Sequence, residues 1–314
     1  MSTKPDVVRA VTDLRAVVAA WRREGLKVAL VPTMGALHAG HIGLVRRAAA
    51  LADRVVVSIF VNPAQFAPHE DLNRYPRDEA GDLAKLAAEN CHLVWAPGAA
   101  NMYPEGFSTR VLPGAAALGL ESDFRPHFFG GVATVCAKLF GAVTPDFALF
   151  GEKDYQQLCV IRQMVRDLDM PVRIEAVETM READGLALSS RNVYLSPPER
   201  AIAPALNRVL REVAAEAGAI VAGAAGAAKG RAPRPAPLVF EVDEPRTIVE
   251  LPELRSLCEA AATKLREAGF AKVDYVAVRD ARSLAVIGRV GAVPLRVLGA
   301  AWLGSTRLID NVSP

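Results

Sequence analysis

Long apolar runs, paired cysteines and a strong charge of either sign are missing from this 314-residue chain. No window approaches the ~18 consecutive apolar residues that span a bilayer, so no membrane segment is expected. The four cysteines, Cys91, Cys136, Cys159 and Cys258, are scattered without a CxxC pair. That removes a zinc ribbon and a disulfide framework, and it points to buried free thiols in a reducing, cytoplasmic setting. A formal net charge of +2 provides no surface for coating nucleic acid, although a local cluster can still hold a small anion. Residues 1–6 are polar and lead into no apolar stretch with a cleavage site, so no export signal is expected. What remains is ordinary globular composition, 51% hydrophobic and 23% charged, in a chain long enough for two domains.

The first half alternates two periodicities. Helical spacing over 7–23, 41–52, 77–89, 131–143 and 154–169 is interleaved with short apolar runs over 27–32, 54–61, 92–95, 146–150 and 172–177. The run RVVVSIFV (54–61) is nearly continuous in β-branched residues, as in a parallel strand buried on both faces. This rhythm predicts an α/β domain over residues 1–186, a doubly wound, mostly parallel sheet with helices on both faces. Ligands of such sheets bind beyond the carboxyl ends of the strands, so the loops that follow strands are the informative ones. Residues 187–314 read as a smaller C-terminal α+β domain. Helical spacing covers 197–222 and 254–268, and three β-like runs (273–279, 295–303, 307–310) suit an antiparallel sheet. An Ala/Gly-rich and then Pro/Arg-rich stretch at 217–237 reads as part of a flexible insertion near 218–254.

The loop after the first predicted strand is PTMGALHAGH (32–41). His38 and His41 are three apart and share one face at a helix start. Unpaired backbone N–H groups and the positive end of the dipole favour an anion there, and two imidazoles can donate to phosphate oxygens. Gly35 and Gly40 allow a ligand close to the backbone. Two incidental surface histidines, or a metal-binding pair, are the competing readings; no carboxylate stands at HExxH spacing to complete a metal site.

Three further loops have the same placement. FVNPAQF (60–66) offers the amides of Asn62 and Gln65, which can hold hydroxyls and a carboxylate, though a plain polar turn reads equally well. FGEKDYQQ (150–157) offers Lys153 to neutralise phosphate, Asp154 to accept from ribose hydroxyls, and Gln157 one turn into a helix. There the bland alternative is an Asp154 N-cap with a solvated charge pair. READGLALSSRN (181–192) places Ser189, Ser190 and Arg191 in a row, suited to a triphosphate or, alternatively, to a linker with capping serines. Arg125 and His127 in RPHFFGG (125–131) are further polar candidates beside a helix start.

HxGH after a first strand resembles the nucleotidyltransferase superfamily. The longer strings PTMGALHAGH and FGEKDYQQ are similar to the pantothenate synthetase family, and the similarity runs over nearly the whole chain except about 218–254. This resemblance implies a Rossmann-like fold that binds ATP with Mg2+ and activates pantoate as an adenylate for attack by β-alanine. It implies that Pro32, Met34, Gly35, His38, Gly40 and His41 line the ATP site. Gly151, Lys153 and Asp154 do so from the third loop, and Ser189, Ser190 and Arg191 match the loop that does the work of KMSKS in aminoacyl-tRNA synthetases. Met180 and Leu188, where the family commonly differs, are expected to contribute backbone contacts. Gln65 and Gln157 match the family's pantoate amides. Asn62, Tyr75 (in a segment resembling a mobile flap, 74–77) and Arg125 are the further candidates for the pantoate and β-alanine side. His41, His38, Lys153 and Arg191 are the candidate catalytic groups, with no resident metal. A homodimer is implied, with no nucleic-acid or membrane partner. The rival enzyme reading is a nucleotidyltransferase acting on a phosphorylated substrate, against which the uncharged Gln65 and Gln157 argue; a nucleotide-binding protein without catalysis is the other.

Overall fold

The computed structural model describes residues 4–68, 70–225, 250–288 and 293–314. The chain divides into two units, Met1–Leu195 and Ser196–Pro314, so Ser189, Ser190 and Arg191 belong to the first.

The first unit runs β1 (Asp6–Val8), α1 (Val11–Arg23), β2 (Val28–Thr33), α2 (Ala39–Ala49), β3 (Arg54–Ile59), α3 (Glu79–Ala87) and β4 (Leu93–Trp95). Two single-turn helices follow, α4 (Ala99–Met102) and α5 (Glu121–Phe124), and then α6 (Phe128–Val143), β5 (Phe147–Gly151), α7 (Tyr155–Asp167) and β6 (Arg173–Val177). The strands form one parallel sheet in the order β1-β4-β3-β2-β5-β6. Val28, Ala29, Leu30 and Val31 of β2 and Val55, Val56 and Val57 of β3 are all completely buried. Val31, Val55 and Val57 pack against Leu44, Val45 and Ala48 of α2, each such burial contributing about 1.5–3 kcal/mol. This packing fixes where the strands end. The sheet order reverses between β2 and β5, and that reversal point is where open α/β sheets bind ligands.

The second unit contains α8 (Pro197–Ile202), α9 (Ala205–Ala225), α10 (Pro252–Glu267) and an antiparallel sheet, β7 (Lys272–Asp280), β8 (Leu295–Leu303) and β9 (Thr306–Val312), in sequential order. The expected fold class, a parallel α/β sheet with a smaller antiparallel unit, is the one found.

Several sequence expectations need correction. Residues 7–23 are not one helix: β1 pairs in parallel with β4, and α1 starts only at Val11. Val7 and Val8 follow Pro5, and two β-branched residues after an extended entry favour a strand over the helical spacing they also satisfy. The helical pattern of 197–222 is broken after Ile202, because Pro204 cannot continue the helix. Of the supposed insertion near 218–254, residues through Ala225 are helical and Pro252 opens α10; residues 226–249 lie outside those described. All four cysteines are buried free thiols. No described helix is long and apolar enough to cross a membrane.

Candidate active site

The loop between β2 and α2 is held from below. Gly35 has φ +80°, a conformation for glycine, and a Cβ there would lie 3.1 Å from Asp82 Oδ2 and 3.2 Å from Ile59 Cγ2. Asp82, on α3 and 1% exposed, accepts from the N–H of Ala36 through Oδ2 (2.8 Å) and from that of Leu37 through Oδ1 (2.7 Å). Lys85, one turn on, donates from Nζ to the Leu37 carbonyl at 2.8 Å. The sequence reading missed Asp82, whose partners lie 45 and 46 residues away. The one local signal is a carboxylate beside Leu83 and Leu86 on an otherwise apolar face.

His38 is the N-cap of α2, and the two imidazoles cap the helix reciprocally. His38 Nδ1 accepts from the N–H of Gly40 (3.1 Å), and His41 Nδ1 accepts from the N–H of His38 (3.3 Å). The rings stand 4.1 Å apart. Since each Nδ1 accepts, each proton sits on Nε2, and both rings keep one donor. Gly40 makes this possible, because a Cβ there would come within 2.9 Å of His38 Cε1. Burial, reinforced by the Lys153 charge, lowers the His38 pKa to about 4. Burial, reinforced by His38 and then Lys153, lowers that of His41 to about 3. Both rings are therefore neutral donors at neutral pH, beside the open N-terminus of α2.

These depressed values carry a stability consequence. Below pH 6.5, the ordinary histidine value, the unfolded chain takes up protons that the folded rings refuse. Stability from this source is full above pH 6.5 and is lost as pH falls through about 4 for His38 and toward about 3 for His41. Urea unfolding at pH 7 and pH 5 should show that loss, and His41→Gln should make it smaller; an equal loss in both proteins would contradict the assignment.

At the end of β3, Pro63–Gln65 forms a single 3-10 turn. Gln65, 9% exposed, donates from Nε2 to Met34 Sδ at 3.1 Å, so this amide touches the histidine loop. Asn62 is 1% exposed. Its Nδ2 donates to Gln65 Oε1 (3.0 Å) and to the Gly131 carbonyl (3.2 Å), and its Oδ1 accepts from the Tyr103 hydroxyl (2.7 Å). Asn62 holds Gln65 in place. Arg125 is likewise committed inward: its Nε and Nη2 grip Glu70 at 2.8 and 2.7 Å, Nη2 also donates to the Gln65 carbonyl (3.1 Å), and its guanidinium lies over the Phe128 ring. Both side chains are held by partners distant in sequence, which residue type alone does not reveal.

β5 ends at Gly151, and Glu152–Asp154 makes a 3-10 turn into α7. Lys153 lies close enough to the imidazoles to lower both of their pKa values. Gln157, on the first turn of α7, is partly exposed, whereas its neighbour Gln156 is buried and bonds to the Ala116 and Gly119 carbonyls. After β6 the chain folds back on itself. Arg181 and Ala187 form a bridge, and the Leu188 N–H donates to the Met180 carbonyl at 2.9 Å, so those two backbone groups satisfy each other. Met180 is 42% exposed, with its sulfur against Gly43 of α2. Ser189 Oγ accepts from the N–H of Arg191 (3.2 Å), and Ser190 Oγ donates to the Ala36 carbonyl (3.0 Å). Arg191 makes a bidentate pair with Asp71, both bonds 2.9 Å, and lies 5.6 Å from the centre of the Tyr75 ring. Burial raises the Asp71 pKa, but the Arg191 bonds and charge outweigh it and hold the carboxylate below its usual range. Tyr75 is buried, with a hydrogen bond to Ser190 that opposes the upward push of burial on its hydroxyl.

Histidines, lysine, serines and a glutamine from four strand-end segments thus meet around one loop at the sheet's reversal point. That arrangement defines an α/β protein with two neutral imidazole donors and a lysine beside the N-terminus of α2. The sequence model of the pantoate-beta-alanine ligase family matches residues 6–313. The chain is 53% identical to pantothenate synthetase of Paramagnetospirillum magneticum (99% of each chain) and 52% identical to that of Mesorhizobium japonicum (99% of this chain, 98% of the relative). It is similar in structure to pantothenate synthetase of Thermus thermophilus, with TM-score 0.81, 42% identity and 98% of each chain covered. It is also similar to pantoate-beta-alanine ligase of Francisella tularensis complexed with beta-gamma ATP and beta-alanine, with TM-score 0.74, 29% identity, and 98% of this chain and 97% of that one covered. The chain belongs to the pantoate-beta-alanine ligase family.

Proposed function

We propose that this chain joins pantoate to β-alanine at the expense of ATP. The pantoate carboxylate attacks the α-phosphorus of ATP and expels pyrophosphate; the β-alanine amine then attacks the acyl carbon of the adenylate and expels AMP, giving pantothenate. The observation that carries this reading is the pair of neutral Nε2–H donors at the N-terminus of α2. They suit phosphate oxygens on which charge develops, and Lys153, Ser189, Ser190 and Arg191 supply further donors. Pro32, Met34, Gly35, Gly40, Gly151, Asp154, Met180 and Leu188 would line the nucleotide's path, and Gln65 and Gln157 would hold pantoate for in-line attack. Magnesium would arrive on the nucleotide and bridge its phosphates. Among the described residues no three His, Cys, Asp or Glu side chains cluster as a metal site. A cytoplasmic homodimer completes the proposal.

Pyrophosphate release from MgATP is the test. Stoichiometric release with pantoate alone, becoming catalytic with β-alanine, is the expected result. Release that needs a phosphorylated acceptor instead would move the protein to the nucleotidyltransferase reading.

Arg191 must exchange Asp71 for a phosphate under this scheme. Asp71→Asn should therefore tighten ATP binding about fivefold, the equivalent of the ~1 kcal/mol of a partly exposed ion pair. Calorimetric titration would show it, and weaker binding would mean that Asp71 orients Arg191 rather than competing for it.

A further inference from the structure

Asp82 has no place in the chemistry above, yet it is a nearly fully buried carboxylate aimed at the histidine loop. It accepts from two consecutive N–H groups, those of Ala36 and Leu37. Ala36 has φ +50°, a left-handed conformation costly for alanine that must be held from outside. Its carbonyl, on the other side of the residue, accepts from Ser190 Oγ. The Leu37 carbonyl is taken by Lys85, which also stands 3.7 Å from Asp82. Leu37 then leads directly into His38.

We infer that Asp82 is a positioning residue for catalysis. It fixes the strained turn at Ala36, and through that turn it sets both the reciprocal capping of His38 and His41 and the place of the Ser190 hydroxyl. A carboxylate is needed because the two backbone donors each take a different oxygen of the same group, and an amide would offer only one acceptor while turning an N–H against the other donor. The clamp comes from α3, so it ties the entry of α2 to the helix that follows β3.

The consequence rests on the proposed ligation, and the experiment separates the two. Asp82→Asn is compared with Glu79→Gln, which removes the same charge from the same helix at a surface pair with Arg9. Two quantities are read: turnover in pyrophosphate release per folded molecule, and the imidazole 15N–1H correlation pattern of His38 and His41 without substrates. Asp82→Asn should lower turnover on the order of 100-fold, as expected for a misplacement near 1 Å, with little change in KM for ATP. It should also abolish the paired Nδ1-acceptor, Nε2–H signature. Glu79→Gln should leave both readouts unchanged. A wild-type imidazole pattern in folded Asp82→Asn overturns the inference whatever the enzyme's substrate proves to be; an inactive wild-type protein with the pattern lost on substitution overturns the ligase reading and keeps the clamp. If Asp82→Asn does not fold, Asp82→Glu, which keeps the charge but moves both acceptor oxygens by one methylene, carries the same spectroscopic test, and an unchanged pattern there overturns the inference.

Discussion

His41→Ala should fold and lose adenylate formation by roughly 100- to 1000-fold, the usual loss when one preorganised donor to a developing oxyanion is removed. The same substitution removes the acceptor of the His38 N–H, so a stability loss of about 0.5–2 kcal/mol should accompany it. The two effects can be separated. His41 occupies the N3 position of α2, where the side chain that ordinarily reaches back to the N-cap N–H is Glu or Gln. His41→Gln should therefore keep most of the stability at pH 7 while still losing at least tenfold in pyrophosphate release, since an amide whose oxygen is held by the cap cannot place its N–H where the imidazole Nε2–H points. Thermal unfolding and the release assay on both variants check this. Near-wild-type turnover in His41→Ala would remove the imidazole from the chemistry; equal stability losses in the two variants would remove it from the cap.

The frame of the site was legible because it rests on local signals. A short apolar run marked β2 and a nearly continuous β-branched run marked β3, and strand ends with glycine, histidine and charged residues marked the loops between them. What could not be read depends on partners distant in sequence. Asn62 and Gln65 look alike as polar turn residues, and only the fold separates the one buried against Gly131 from the one that reaches Met34. Arg191 looks like a phosphate ligand and Arg125 like a ligand on the pantoate and β-alanine side; Glu70 and Asp71, adjacent residues in another segment, hold both of them. Neither arginine is an open cation: Asp71 ties Arg191, and with it the segment around Ser190, to the segment before Tyr75, while Glu70 holds Arg125. Val7 and Val8 show the reverse case. Their helical spacing was genuine, but hydrogen bonding to a strand distant in sequence, a pairing of Val7 with Val94, decided the outcome.

The second large effect lies at a position that carries no functional group. Gly131 is in the first turn of α6, and a Cβ there would lie 2.2 Å from the Ala64 carbonyl oxygen, 2.5 Å from its carbon and 2.8 Å from the Gln65 nitrogen. These are backbone atoms, which cannot rotate aside, so α6 and the 62–66 turn would have to separate. The bond from Asn62 to the Gly131 carbonyl would stretch, and Gln65 would shift with its turn. Gly131→Ala should cost about 1–3 kcal/mol as overpacking, and on the order of 100-fold in turnover if Gln65 moves by about 1 Å. Gly141→Ala is the matched control, further along the same helix at a position where a Cβ meets nothing within 4 Å. There the reduced freedom of the unfolded chain and better helix propensity should stabilise the protein by about 0.5–1 kcal/mol, with activity unchanged. Opposite signs in thermal unfolding, with activity lost only in Gly131→Ala, would establish that close packing of α6 on the turn sets the place of Gln65. Full activity in Gly131→Ala would mean that the turn moves as one piece with whatever it binds, and the role assigned to Gln65 would have to be given up or made independent of its position.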